Sequence, residues 1–198
     1  MNLAELQTEV SNITRRADLL TTQITPAIKA ATLKMHQADY FPKDLYESLI
    51  TFPTAEYLQT WNYTASIPRW RSLKYLRKID STSGEPYGTP LTVLTPEQLL
   101  DSYGVEKTDV TYEAGLFLNI KTREEVQYFL LGCYLNPDIT DAGYTSWIAD
   151  MHPYAIVYEA AAKVFRQIGF KEQEVSMLRE AADQLSIIRM SNIQTVGY

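Results

Sequence analysis

A chain of 198 residues, 45% of them hydrophobic, is long enough for one domain, or one domain carrying an insertion, and can bury roughly 70% of its unfolded surface without a disulfide or metal staple. Its formal net charge of -6 argues against binding nucleic acid or an anionic membrane over the whole surface and leaves only local basic patches. The single cysteine, Cys133, excludes an internal disulfide and sits in the apolar run Phe129–Leu135, where it reads as a small buried hydrophobe rather than a reactive thiol.

The first residues, Met1 to Glu5, lack the basic and apolar regions of a signal peptide, and no stretch reaches the ~18 to 20 apolar residues of a membrane span. Synthesis and folding in a cytoplasm, without a membrane partner, are the expectation. Asn2 and Glu5 stand at capping-box spacing, and Leu3, Leu6, Val10 and Ile13 share one helical face, which predicts a short first helix. A second stripe, Leu20, Ile24, Ile28, Ala31 and Met35, runs to about Ala38. Pro26 either kinks this helix or opens it behind Thr25, and a start near Asp18 is favoured.

From Tyr40 the helical period gives way to short runs rich in β-branched and aromatic residues. Leu45–Phe52, Gln59–Ile67, Ser72–Ile79 and Leu91–Leu94 read as strands, separated by Pro53, Pro68 and the turn-rich segment 81–86. Thr95, Pro96 and Gln98 mark a short helix near 96–103 that stops at Gly104. Asp109–Glu113 and Leu116–Lys121 form a hairpin through Ala114 and Gly115, and Val126–Leu135 is a last strand closed by Asn136-Pro137-Asp138.

The best-marked element is the helix Pro153–Ile168. Proline suits the first helical position, where its missing N–H has no partner, and Gly169 suits the left-handed position past the end. Tyr154, Val157, Ala161, Val164, Phe165 and Ile168 form its main stripe, and Ala160–Ala162 leave room for a neighbouring helix. A further amphipathic helix spans about Lys171–Met190, and the short Gly169 connection implies antiparallel packing of the two. Ser191–Tyr198 carries no charged side chain and no helical stripe, and reads as a frayed or partner-ordered arm with Ile193, Val196 and Tyr198 as anchors. The expected fold class is α+β: an antiparallel helical bundle from the N- and C-terminal helices (1–39 and 141–190), a β-rich middle insertion (40–140) and an extended C-terminal tail (191–198).

Chemical motifs are sparse. His36 and His152 stand apart from any metal-ligand spacing, and there is no nucleophile elbow, phosphate-binding glycine loop or dinucleotide fingerprint. No catalytic, cofactor-binding or metal-binding residue is therefore expected. Glu124 with Glu125, or Asp101 with Glu106, read as solvated surface charge, with glycan hydrolysis through paired carboxylates as the alternative. The most distinctive charged stretch runs from Pro68 to Lys78. Its residues Arg69, Trp70, Arg71, Lys74 and Arg77 fit an edge strand guarded by positive charge, a contact with an acidic neighbouring subunit, or a DNA-facing module. Fourteen tyrosines supply the rigid amphipathic area favoured at protein interfaces.

Several segments together resemble the head-to-tail connector adaptor family of tailed, especially short-tailed, bacteriophages. They are Ala30–His36 leading into Asp39–Leu45, then Pro68–Arg71, then Asp101–Asp109, and finally Ser146–Phe165. They follow one another in order through most of the chain. The resemblance implies a structural virion protein without a shared catalytic motif, assembled after synthesis in the host as a dodecameric homo-oligomer ring at the head-tail junction. Such a ring binds the portal protein and extends the DNA channel towards the tail tube or nozzle protein, with genome DNA passing through without sequence-specific binding. It also implies that the C-terminal segment, with Ile193, Val196 and Tyr198, reaches onto the portal.

Overall fold

The computed structural model describes residues 1–15, 21–100 and 107–195. The chain divides into two compact units, one formed by residues up to Asp44 together with those from Asn136 onward, the other by Leu45–Leu135.

The first unit holds α1 (Leu3–Thr14), α2 (Thr21–Gln37), α5 (Trp147–Met151), α6 (Pro153–Ile168) and α7 (Lys171–Thr195). The capping box of α1 forms as its spacing predicts, with Asn2 Oδ1 accepting from the Glu5 N–H and Glu5 Oε2 from the Asn2 N–H, both at 2.9 Å. α6 begins on Pro153 and ends at Gly169, whose φ of 84° lets its N–H reach the Arg166 carbonyl while the Phe170 N–H reaches that of Phe165. α6 is buried nearly all round, including Ala155, Ile156, Val157, Ala160, Ala161 and Val164. It is the element the other helices of the unit share: α1, α2, α5 and α7 all pack against it. Leu6, Val10, Ile24, Ile28, Ala31, Ile148 and Ile188 complete this core.

The second unit is built on β6 (Phe117–Leu135), a 19-residue strand. One side of β6 pairs along its length with β1 (Leu45–Asn62). The other side pairs first with β5 (Val110–Ala114) and then with β2 (Trp70–Ile79), all antiparallel. β3 (Pro86–Tyr87) extends β2, and β4 (Thr92–Leu94) runs parallel to β5, which makes the six-stranded sheet mixed. The sheet curls, so that Glu113 of β5 accepts at 3.3 Å from the Leu73 N–H of β2, and Leu76, Leu118, Ile120, Phe129, Leu131 and Cys133 fill the interior. Two short helices, α3 (Tyr63–Ser66) and α4 (Pro96–Leu100), decorate it.

The fold therefore differs from the expected antiparallel terminal bundle with a β-rich insertion and an extended tail. It is α+β with seven helices among the described residues and a curled mixed sheet that dominates the middle of the chain. Three of the helices have only four or five residues, too short to run side by side with the others, and the longer ones gather about α6 rather than forming an antiparallel set. The expected extended tail is helical as far as Thr195. Within that last turn the Ser191 hydroxyl and the Asn192 amide both donate to the Ile188 carbonyl at 2.8 Å, so the polar side chains close the helix rather than ending it.

Smaller differences have local causes. α2 passes through Pro26 from Thr21, and the expected start near Asp18 lies outside the described residues, as does the expected end of α4 near Tyr103. β1 continues through Pro53 because the register shifts between Thr51 and Glu56, a bulge where the missing N–H has no ladder partner to lose. Residues expected to prolong it to Ile67 instead turn into α3, capped by Asn62 Oδ1 on the Ala65 N–H at 3.1 Å.

Candidate interaction surfaces

The basic stretch is divided by its own strand. Arg69 lies exposed in the turn before β2, and Lys74 is exposed with its Nζ 5.5 Å from the centre of the Tyr134 ring. Trp70 is half-buried, stacked on Tyr63 at 4.5 Å and edge-on to Trp61 at 6.4 Å. Arg71 is half-buried, and Arg77, also half-buried, donates to the Gly88 carbonyl at 3.3 Å. Trp70 thus joins an aromatic cluster on the sheet, and of these cations Arg69 and Lys74 are the exposed ones.

Lys78 is the cation whose position the sequence hides. Only 7% exposed, it points into the curled sheet, with Nζ 2.7 Å from Glu124 Oε1 and 3.2 Å from Asp109 Oδ1, and 5.4 Å from the Tyr87 ring centre. Burial alone lowers the Lys78 pKa, but the hydrogen bonds to Glu124 and Asp109 outweigh it and the net shift is upward. The bond from Lys78 in turn holds Glu124 below the usual carboxylate range. Asp109 adopts a left-handed φ of 57°, held by Oδ1 contacts to Lys78 and to the Arg123 N–H at 3.2 Å. A general acid for glycan hydrolysis needs a raised pKa, so Glu124 is shifted the wrong way for that chemistry. Asp101 and Glu106 lie outside the described residues.

A second constellation, missed in the sequence, is buried in the first unit. His36 Nδ1 lies 2.8 Å from Asp44 Oδ1 and its Nε2 lies 2.9 Å from Ser146 Oγ, while Trp147 Nε1 donates to Asp44 Oδ1 at 2.7 Å. The order serine, histidine, carboxylate is that of an acyl-transfer relay. Ser146, however, is 6% exposed, and its Oγ caps α5 by accepting from the Ala149 N–H at 3.1 Å. With all three groups buried, no substrate carbonyl can approach, and the network acts as an internal brace between the end of α2, the turn Pro42–Asp44 and the start of α5. Only the Ser146 cap was marked locally, by its position before the Trp147–Met151 turn; His36 and Ser146 are 110 positions apart.

His152 precedes α6 without a side-chain cap bond, and burial, then the nearby Lys43, lowers its pKa. Cys133 is fully buried, and burial pushes its thiol up to about 11, which suits a packing role. Of the expected arm, Ile193 belongs to α7 by its backbone, and Val196 and Tyr198 lie outside the described residues. Among the described residues no three His, Cys, Asp or Glu side chains converge as a metal site, and no helix is long and apolar enough to cross a membrane.

No model of a known protein family matches the chain, and no curated protein is significantly similar to it.

Proposed function

We propose that the chain is a structural virion protein of the head-to-tail connector adaptor type, which assembles as a ring of copies, binds the portal and continues the DNA channel towards the tail. The observation that carries this reading is the ordered set of resembling segments, of which the longest, Ser146–Phe165, contains α5 and most of α6. The segment Ala30–Leu45 supports it by meeting those residues in one core. Lys34 Nζ binds Glu159 Oε2 at 2.7 Å, and His36 binds Ser146.

Glu159 is buried at 4% exposure on α6, where a carboxylate is tolerated only with a charged partner. Lys34 therefore supplies the charge that lets Glu159 be buried on α6, and the contact joins two separated segments of the resemblance.

The test is to mix the purified chain with the cognate portal and measure the mass of the product and its class averages by electron microscopy. A ring seated on the portal is expected. Persistent absence of any ring or complex defeats the reading.

A further inference from the structure

We infer that the outer edge of β1, along Leu45–Thr51, is a contact surface for a second copy of this chain, which meets it with the Arg69–Tyr75 end of β2. This rests on the ring reading for the presence of further copies and goes beyond it in naming the two surfaces.

β1 has 18 residues and pairs only with β6 among the described residues, which leaves a row of backbone groups along its other side. The middle of the strand is already occupied. Pro53 has no N–H, and the carbonyls of Phe52, Thr54 and Tyr57 accept from the side chains of Gln127, Gln59 and Thr122. Among the described residues no side chain covers Leu45–Thr51 in this way, and the stretch exposes Tyr46 and Leu49, at 43% and 56%. Soluble proteins guard such edges with short strands or lysine. β1 is long and contains neither Lys nor Arg.

Charge selects the occupant. The ionic side chains of β1 are Glu47 and Glu56; those from Arg69 to Ile79 are Arg69, Arg71, Lys74, Arg77 and Lys78, with no acid among them. The two strands flank the same half of β6: Glu47 and Tyr75 are both partners of Gly132, and Leu49 and Arg77 of Leu130. In every copy one side of this three-strand layer therefore presents Glu47 and the other presents Arg69 and Lys74. Head-to-tail association brings opposite charges together, whereas a two-fold pairing of β1 edges opposes Glu47 to its own kind.

On the basic side, Lys78 is neutralised internally, Arg77 is bonded to Gly88, the Leu91 N–H covers the Leu76 carbonyl at 2.8 Å, and the Leu73 N–H donates to Glu113 at 3.3 Å, so this end of β2 offers charged side chains rather than a free backbone edge. Arg69 and Lys74 are the exposed cations there.

The test uses Glu47→Lys, the pair Arg69→Glu with Lys74→Glu, and all three in one chain, with mass measured by sedimentation alone and with portal. Each one-sided change should weaken self-association by about tenfold or more, and the combined chain should recover most of it. Leu49→Lys probes the same edge without touching the bond between Tyr75 and Glu47 and should also weaken assembly, with melting unchanged. Assembly undiminished by the one-sided changes and by Leu49→Lys overturns the surface and leaves the ring reading standing. A combined chain that is folded yet does not recover overturns the pairing of these two stretches. A wild-type chain that stays monomeric with and without portal overturns both readings.

Discussion

Lys78 shows how one residue decides what a charged stretch can do. Read along the sequence it belongs with Arg69 and Lys74, but its side chain is inside the sheet and its charge is balanced by Glu124 and Asp109. A carboxylate held below its ordinary pKa contributes stability above that ordinary value and loses it as pH falls through the lowered one. A lysine held above its ordinary pKa contributes below that value and loses it as pH rises through the raised one. The melting temperature should therefore show a plateau between the two, with an acid shoulder from Glu124 and an alkaline one from Lys78. Lys78→Met should flatten both and cost about 1–2 kcal/mol, less than breaking a fully buried pair, because the Glu124 carboxylate is half exposed. Melting curves of both chains from acid to alkaline pH measure this.

The His36 brace has a different balance, since it is sequestered throughout. Ser146→Ala removes both the α5 cap and the partner of His36 Nε2, and should destabilise by about 2–3 kcal/mol as the sum of a lost cap and an unsatisfied buried nitrogen. Denaturant unfolding followed by Trp147 fluorescence reads the loss directly, because the indole is bonded to Asp44 and lies edge-on to His36 at 5.6 Å.

At the scale of elements, what was legible follows from how local each signal is. α6 and α1 were readable because a proline, a glycine and an Asn/Glu pair each act within one turn of the residue they cap. β1 and β6 were each read as two strands, because Pro53 and the polar run 122–125 resemble breaks when only neighbours in sequence are visible. The bulge that absorbs them is a property of the pairing between residues 63 to 77 positions apart. The His36 network and the Lys78 cluster were illegible for the same reason.

The tail differs for another reason: a segment without charge or stripe can still continue a helix whose buried seam, Ala181 and Ile188 with Leu185 against them, lies upstream. The crowding around α6 gives its own prediction. Ala160 is fully buried on an element that meets four other helices, so Ala160→Leu should overpack the core and cost about 1–3 kcal/mol. Ala160→Ser, nearly isosteric, should cost less, and equal losses in chemical denaturation would show that volume is not what limits the site.

For the molecule as a whole, the proposed portal contact makes the C-terminal segment the place where folding and assembly can be tested separately. Ile188 is a buried anchor of α7, and the Ser191 hydroxyl and the Asn192 amide both donate to its carbonyl. A chain ending at Met190 keeps that anchor and loses the terminal turn. Its melting temperature should fall by no more than about 2–4 °C, the equivalent of 1 kcal/mol at this chain length. Capture on immobilised portal should be lost or strongly reduced, since Ile193, Val196 and Tyr198 are the apolar side chains available beyond that point. A helical rather than extended backbone over Ser191–Thr195 alters what such an arm can do: only the residues after Thr195 would have to order on the partner. Substituting Ile193 by proline in the full-length chain discriminates these modes, because it breaks the last turn while leaving Val196 and Tyr198 in place. Weakened capture assigns the contact to the helical end, whereas undiminished capture with loss on truncation assigns it to the final residues. A truncated chain that melts far lower, or binds portal as well as the full chain, removes the arm from the assembly role altogether.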